Sequence, residues 1–133
     1  MPATIYTDGG ARGNPGPAGI GAVLKGRGET LHFKEYIGET TNNVAEYKAL
    51  IKGLTQALKH EYKEVTAYLD SELIVKQIKG EYKVKQPHLI PLYAECRDLI
   101  SILHKFSIHH IRRELNKEAD KLVNLAIDEH LGK

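Results

Sequence analysis

The chain has 133 residues, and its 19 Lys+Arg against 17 Asp+Glu leave a formal net charge of +2. That near-balance excludes a highly basic, histone-like tail protein, while 41% hydrophobic and 27% charged residues exclude disorder and fibrous repeats. The length fits one domain over residues 1–133, which buries roughly two-thirds of its unfolded surface and needs no disulfide.

In chain order, Ala3–Asp8 (ATIYTD) is short and rich in strand formers, and the Gly/Pro cluster 9–21 follows it. A strand is expected to end there and a special backbone to begin. Gly19–Lys25 and Thr30–Ile37 read as strands joined by a hairpin turn at Gly26-Arg27-Gly28. Leu50, Leu54, Ala57 and Leu58 recur at helical steps, so Thr41–His60 is predicted as an amphipathic helix. Glu64–Asp70 returns to strand character, and Ser71–Lys79 is predicted helical until Gly80 stops it. Pro87 and Pro91 open a further helix with Leu92, Leu99 and Ile102 on its apolar side. Phe106–Ile111 is a last strand, and Asn116–His130 a last helix with Leu122, Val123, Leu125 and Ala126 toward the core. Strands separated by a helix are normally parallel and joined right-handedly. The predicted fold is therefore α/β: a mixed five-stranded sheet, three antiparallel strands and then two parallel ones, flanked by helices.

The single cysteine, Cys96, has no His or acid spaced to activate it and reads as a buried core thiol. The N-terminus lacks the pattern of a signal peptide, and no apolar run approaches the ~18 residues of a membrane span. A cytoplasmic setting is the expectation, with no membrane association.

Four acids stand out by joint placement. Asp8 and Asp70 end strands, whereas Glu46 and Asp120 lie at helix starts, so all four converge on one edge of a single sheet. Each also has an ordinary reading: Asp8 as a turn residue, Asp70 as a helix N-cap, Glu46 as half of a capping box with Asn43, Asp120 as a solvated acid. Together they suit hard divalent cations such as Mg²⁺, which take carboxylate oxygens alongside substrate phosphates, and a pair of such ions can promote phosphodiester cleavage.

The stretch Tyr6-Thr7-Asp8-Gly9-Gly10-Ala11-Arg12-Gly13-Asn14-Pro15-Gly16-Pro17-Ala18-Gly19 strongly resembles the first motif of type 1 ribonuclease H. Thr40-Thr41-Asn42-Asn43-Val44-Ala45-Glu46 is similar to the second acidic motif of that family, Asp70-Ser71 to the third, and Asn116-Lys117-Glu118-Ala119-Asp120 to the fourth. The resemblance covers essentially the whole chain. It implies the ribonuclease H-like fold and Mg²⁺-dependent hydrolysis of the RNA strand of RNA–DNA hybrids, leaving 5′-phosphate and 3′-hydroxyl ends. It further implies two metal ions, with Mn²⁺ as a substitute, held by Asp8, Glu46, Asp70 and Asp120. Asp8 and Asp70 would share the ions, Glu46 would also contact RNA, and Asp120 would hold the ion that positions the attacking water.

Substrate contacts are expected at Gly9 and Gly10, whose bare backbone lets a ribose come close, and at Asn14, Thr41, Asn42, Asn43 and Ser71. Asn42 and Asn43 read equally well as a helix cap. The family's basic protrusion after the third motif is missing from the sequence. Lys76, Lys79, Lys83 and Lys85 are its local substitute, with a solvated face as the plain alternative. Glu39 stands where some relatives carry a basic residue near the DNA phosphate.

The family's catalytic histidine is also displaced. His110 is ten residues before Asp120, yet falls in the predicted strand, where His109 and His110 face opposite ways. Arg112 or Arg113 is the expected electrostatic substitute, Arg113 preferred. The other histidines lack metal-ligand spacing. Alternatives on the same site are cleavage of RNA–DNA junctions or double-stranded RNA, or a hybrid-binding module that does not cleave. A monomer without an obligate protein partner is expected.

Overall fold

The computed structural model describes residues 2–133. Strands β1 (Pro2–Ala11), β2 (Gly16–Gly26) and β3 (Glu29–Thr40) are followed by α1 (Asn42–Lys59), β4 (Glu64–Leu69), α2 (Glu72–Lys79), α3 (Ile90–Ile102), β5 (Lys105–His110), a 3₁₀ turn (Arg113–Leu115) and α4 (Lys117–Leu131). The sheet order is β3-β2-β1-β4-β5. β1, β2 and β3 pair antiparallel, and β4 and β5 extend the sheet in parallel, as predicted.

The β2–β3 hairpin turns on Arg27 and Gly28, both at positive φ (52° and 75°), the backbone of a two-residue turn that matches strand twist. The glycine cluster departs from expectation. β1 continues through Gly9 and Gly10 to Ala11, and β2 already begins at Gly16. The reason is tertiary. A Cβ on Gly9 would sit 2.2 Å from the Ala45 carbonyl of α1, and one on Gly21 would sit 2.5 Å from the Ala119 carbonyl of α4. Glycine costs strand propensity here, but it lets one helix close on each face of the sheet.

The core lies between the sheet and the layer of α1, α2 and α3, where Ile5, Leu24, Tyr47, Leu50, Leu54, Leu69, Ile74 and Cys96 are fully or nearly fully buried. Burial of each large side chain contributes about 1.5–3 kcal/mol. α4 covers the other face over β1, β2 and β3. Two core expectations fail. Leu125 is exposed and Ile127 takes the inward place on α4, while Ile102 is exposed at the end of α3. Leu125 lies on the side of α4 away from the buried row Ala119, Leu122, Val123, Ala126 and Ile127, and Ile102 is the last residue of α3 before the chain turns into β5.

Candidate active site

Asp8 is in β1, and its partner across the ladder is Gly21 of β2. The next residue, Gly9, faces α1 so closely that its N–H donates to Glu46 Oε1 at 2.9 Å. Glu46 is thus drawn inward from α1 and is buried. The helix starts at Asn42 with Thr41 as N-cap, so Glu46 falls beyond the first turn and makes no capping box with Asn43. Asp70 directly follows β4, and the adjacent Ser71, not Asp70, caps α2 by accepting from Ile74 N–H at 3.4 Å. These placements bring one carboxylate oxygen each of Asp8, Glu46 and Asp70 within 4.8 Å of one another. Asp120, in the first turn of α4, stands outside that triad but close enough for its charge to act on Asp8 and Asp70.

The electrostatics follow from this crowding. Burial, and then the charges of Asp70 and Asp120, push the Asp8 carboxyl up to about 8. Glu46 is raised well above the usual carboxylate range by burial and by Asp8 and Asp70. Asp70 is raised by burial, an effect opposed by a hydrogen bond from Asn116 and by the Arg113 charge. Three buried or half-buried acids disfavour shared ionisation unless a cation joins them. The donor set is all oxygen and fits a hard divalent ion such as Mg²⁺.

The acids open on a cleft of about 540 Å³ that is also lined by Gly9, Gly10, Arg12, Asn42, Arg113 and Asn124. Arg113 is exposed in the 3₁₀ turn, with Nη2 3.6 Å from Asp120 Oδ1. His110 closes β5 as expected and lies outside the cleft lining. Asn14 and Asn42 form a short relay at the rim: Asn42 N–H donates to Asn14 Oδ1 at 3.0 Å, and Asn42 Oδ1 accepts from Ala11 N–H at 2.8 Å. Neither Asn42 nor Asn43 is the cap of α1, because Thr41 Oγ1 fills that role for Val44 N–H. Asn14, Thr41, Asn43, Ser71, Lys83 and Lys85 lie outside the cleft lining, with both lysines exposed in the connection between α2 and α3. That connection has no helix of its own among the described residues, in keeping with the missing protrusion.

Two contributors went unnoticed in the sequence. Asn116 is buried, and its Nδ2 donates to the Thr7 carbonyl at 2.9 Å and to Asp70 Oδ2 at 3.3 Å. Arg12 reaches across the cleft rim to Asp128 at 2.6 Å and Asn124 at 3.1 Å, tying the turn after β1 to α4. The signal for Asn116 lay inside the fourth motif, where its type suggested only a helix start.

A family profile described as "Reverse transcriptase-like" matches residues 6–126. Ribonuclease H of Legionella pneumophila (strain Corby) is 37% identical over 146 aligned positions, covering 97% of this chain and 99% of the relative. The chain belongs to the type 1 ribonuclease H family. The bifunctional protein Rv2228c of Mycobacterium tuberculosis is 43% identical over 131 residues, or 96% of this chain but 36% of the relative, so the chain spans about a third of that protein's length. Among solved structures, LC11-RNase H1 in complex with an RNA/DNA hybrid is 50% identical, with a TM-score of 0.91 over 97% of this chain and 99% of that one. The five-stranded mixed sheet with its flanking helices is thus the ribonuclease H fold.

Proposed function

We propose that this chain is a metal-dependent endoribonuclease that hydrolyses the RNA strand of RNA–DNA hybrids, leaving 5′-phosphate and 3′-hydroxyl ends. The observation that carries this reading is the Asp8, Glu46 and Asp70 triad, three carboxylates within 4.8 Å at the floor of an open cleft. In this reading Asp8, Glu46, Asp70 and Asp120 hold two Mg²⁺ ions, or Mn²⁺ in their place. When bound, such ions lower the pKa of water and stabilise charge on the phosphate and the leaving oxygen.

The chain's own residues supply positioning. Asn116 fixes the Asp70 carboxylate, and the Gly9 N–H fixes that of Glu46. Gly9 and Gly10 present backbone without side chains to the ribose, whose 2′-hydroxyl is the mark of RNA. Arg113 offers a permanent positive charge at the cleft for a phosphate. Asn14, Thr41, Asn42, Asn43 and Ser71 line the path of the duplex beyond the acids, and Lys83 and Lys85 meet the DNA strand. The five strands form one sheet, and in this reading residues 1–133 act as one catalytic domain, with the hybrid as partner. No helix among the described residues is long and apolar enough to cross a membrane.

The test offers RNA–DNA hybrid, double-stranded RNA, single-stranded RNA and an RNA–DNA junction to the wild type and to Asp70→Asn in Mg²⁺ and in Mn²⁺. Hybrid cleavage should dominate in the wild type, stop with chelator, and fall at least 10²-fold in Asp70→Asn while hybrid binding persists. Preference for another duplex would reassign the substrate, and unaltered turnover of Asp70→Asn would remove the carboxylates from the chemistry.

A further inference from the structure

β5 is the last strand in the order β3-β2-β1-β4-β5, so no strand among the described residues lies beyond its outer edge. The direction of its backbone groups follows from two bonds to the β4 side. Lys105 N–H donates to the Lys63 carbonyl at 3.2 Å, and Ile111 N–H donates to the Leu69 carbonyl at 2.9 Å. Direction alternates along a strand, so Phe106, Ile108 and His110 aim their N–H and C=O groups away from β4. Such an edge is a template for a further strand.

The surroundings of this edge differ on the two faces of the sheet. On the helical side a cleft of about 430 Å³ is floored by Ile78, Ile100, Phe106 and Ile108, and Lys79 and Arg97 flank it, both exposed. No carboxylate lines it among the described residues. On the opposite side, three rings in one register row form a column across β1, β4 and β5. Tyr6 and Tyr68 stack with centroids 5.2 Å apart, and Tyr68 and His109 stack at 5.5 Å. The column stops at His109, on the edge strand.

We infer that the β5 edge is a docking site for an extended, acidic peptide segment of a partner protein, which adds a sixth strand to the sheet. The outward backbone groups supply the pairing, and alternate side chains of the added strand turn to the two faces. One set enters the apolar cleft between Lys79 and Arg97. The other set lies beside Lys105 and His109, where an aromatic residue continues the ring column. The cations at the edge select acidic sequences. They also disfavour self-pairing, since two β5 edges side by side would oppose Lys79, Arg97 and Lys105 to like charges. A nucleic acid strand would use the cations but has no peptide groups for the outward row and gains nothing from the apolar floor.

The probe is an eight-residue peptide in which aspartate alternates with valine, one central aspartate being replaced by phenylalanine. It is added to the full chain at up to about 1 mM, the range suited to a small contact. Amide hydrogen exchange at Phe106, Ile108 and His110 should slow at least tenfold on binding. The same peptide N-methylated at alternate residues should bind at least tenfold more weakly, because it cannot pair. Lys105→Glu should weaken binding about fivefold and leave hybrid cleavage unchanged. No binding, binding that leaves those three amides unprotected, or indifference to N-methylation would each overturn the inference. So would protection of the same amides by single-stranded DNA in place of the peptide, or protection that rises with protein concentration alone, the mark of a second copy.

Discussion

Replacing Asp8 by Asn tests the electrostatics of the site directly, because the substitution keeps the shape of the side chain and removes its charge. Burial and the neighbouring Asp70 push the folded carboxyl up to about 8 from the 3.8 of a free aspartate. A raised folded pKa means that folding is favoured by the protonated form. That contribution is fully present below about pH 4 and is lost as pH rises through about 8. Roughly four pKa units at about 1.4 kcal/mol each set a ceiling near 6 kcal/mol on the loss in metal-free protein. Asp8 is buried, so solvent screens little of this, but Asp70 and Asp120 share the repulsion and relax with it. We therefore expect Asp8→Asn to gain about 2–4 kcal/mol at pH 8 in chelator, or about 6–12 °C in Tm for a domain of this size. Thermal unfolding by circular dichroism at pH 5 and pH 8, with chelator and with Mg²⁺, reads the effect. The gain should shrink at pH 5, where the wild-type carboxyl is already protonated, and Mg²⁺ should stabilise the wild type more than the variant. Equal Tm values at pH 8 in chelator, or the same difference at both pH values, would refute the reasoning.

Asn116→Ala leaves the Thr7 carbonyl and one Asp70 oxygen without their donor, and should cost about 1–3 kcal/mol in a urea titration. It should also raise the Asp70 pKa further, visible in carboxyl carbon NMR; an unmoved Asp70 titration would count against the positioning role. Gly9→Ala forces a Cβ into the Ala45 carbonyl and should destabilise by about 3 kcal/mol, with loss of the Gly9–Glu46 hydrogen bond seen as faster exchange of that amide. Burial pushes the Cys96 thiol up to about 12, so labelling by a thiol reagent at pH 8 should proceed only at the rate of unfolding.

The parts of the fold that were legible are those with short-range causes. The Leu50–Leu58 periodicity placed α1 within a residue of its true bounds, and the Gly26–Gly28 turn placed the β2–β3 hairpin. The mixed sheet, three antiparallel strands and then two parallel ones, followed from the connections once the strands were assigned, while the strand order came from the structure. The glycine cluster misled because its reason is a helix packed on the strand, more than thirty residues away for Gly9 and about a hundred for Gly21. Leu125 misled because an apolar side chain at a helical step need not have a neighbour to face. In the site, Asp70 just past β4 and Asp120 in the first turn of α4 were visible, whereas Asp8 lies inside β1, not at its end, and Glu46 lies beyond the first turn of α1. What α1 does with Glu46 was not visible, since the partner that draws it inward is the backbone of Gly9. Asn116 was hidden for the same reason: its two acceptors lie 109 and 46 residues away in sequence.

The connection from β5 to α4 joins these points. Only residues 111–116 separate the end of β5 from the start of α4, and three of them form a 3₁₀ turn. This connection contains no histidine, so under the proposed function it brings no proton-exchanging imidazole over the cleft. It holds Asn116 against Thr7 and Asp70, and Arg113 beside Asp120. A guanidinium stays charged throughout the pH range of catalysis and moves no proton. Under the proposed function, Arg113 therefore acts on charge alone, and proton movement at the scissile phosphate falls to solvent and to the acids. The pH profile of hybrid cleavage should accordingly follow the acids, and Arg113→Lys, which keeps the charge, should retain more activity than Arg113→Ala at every pH. If His110→Ala instead lowered turnover about a hundredfold and changed the profile's shape, proton transfer would run through the end of β5.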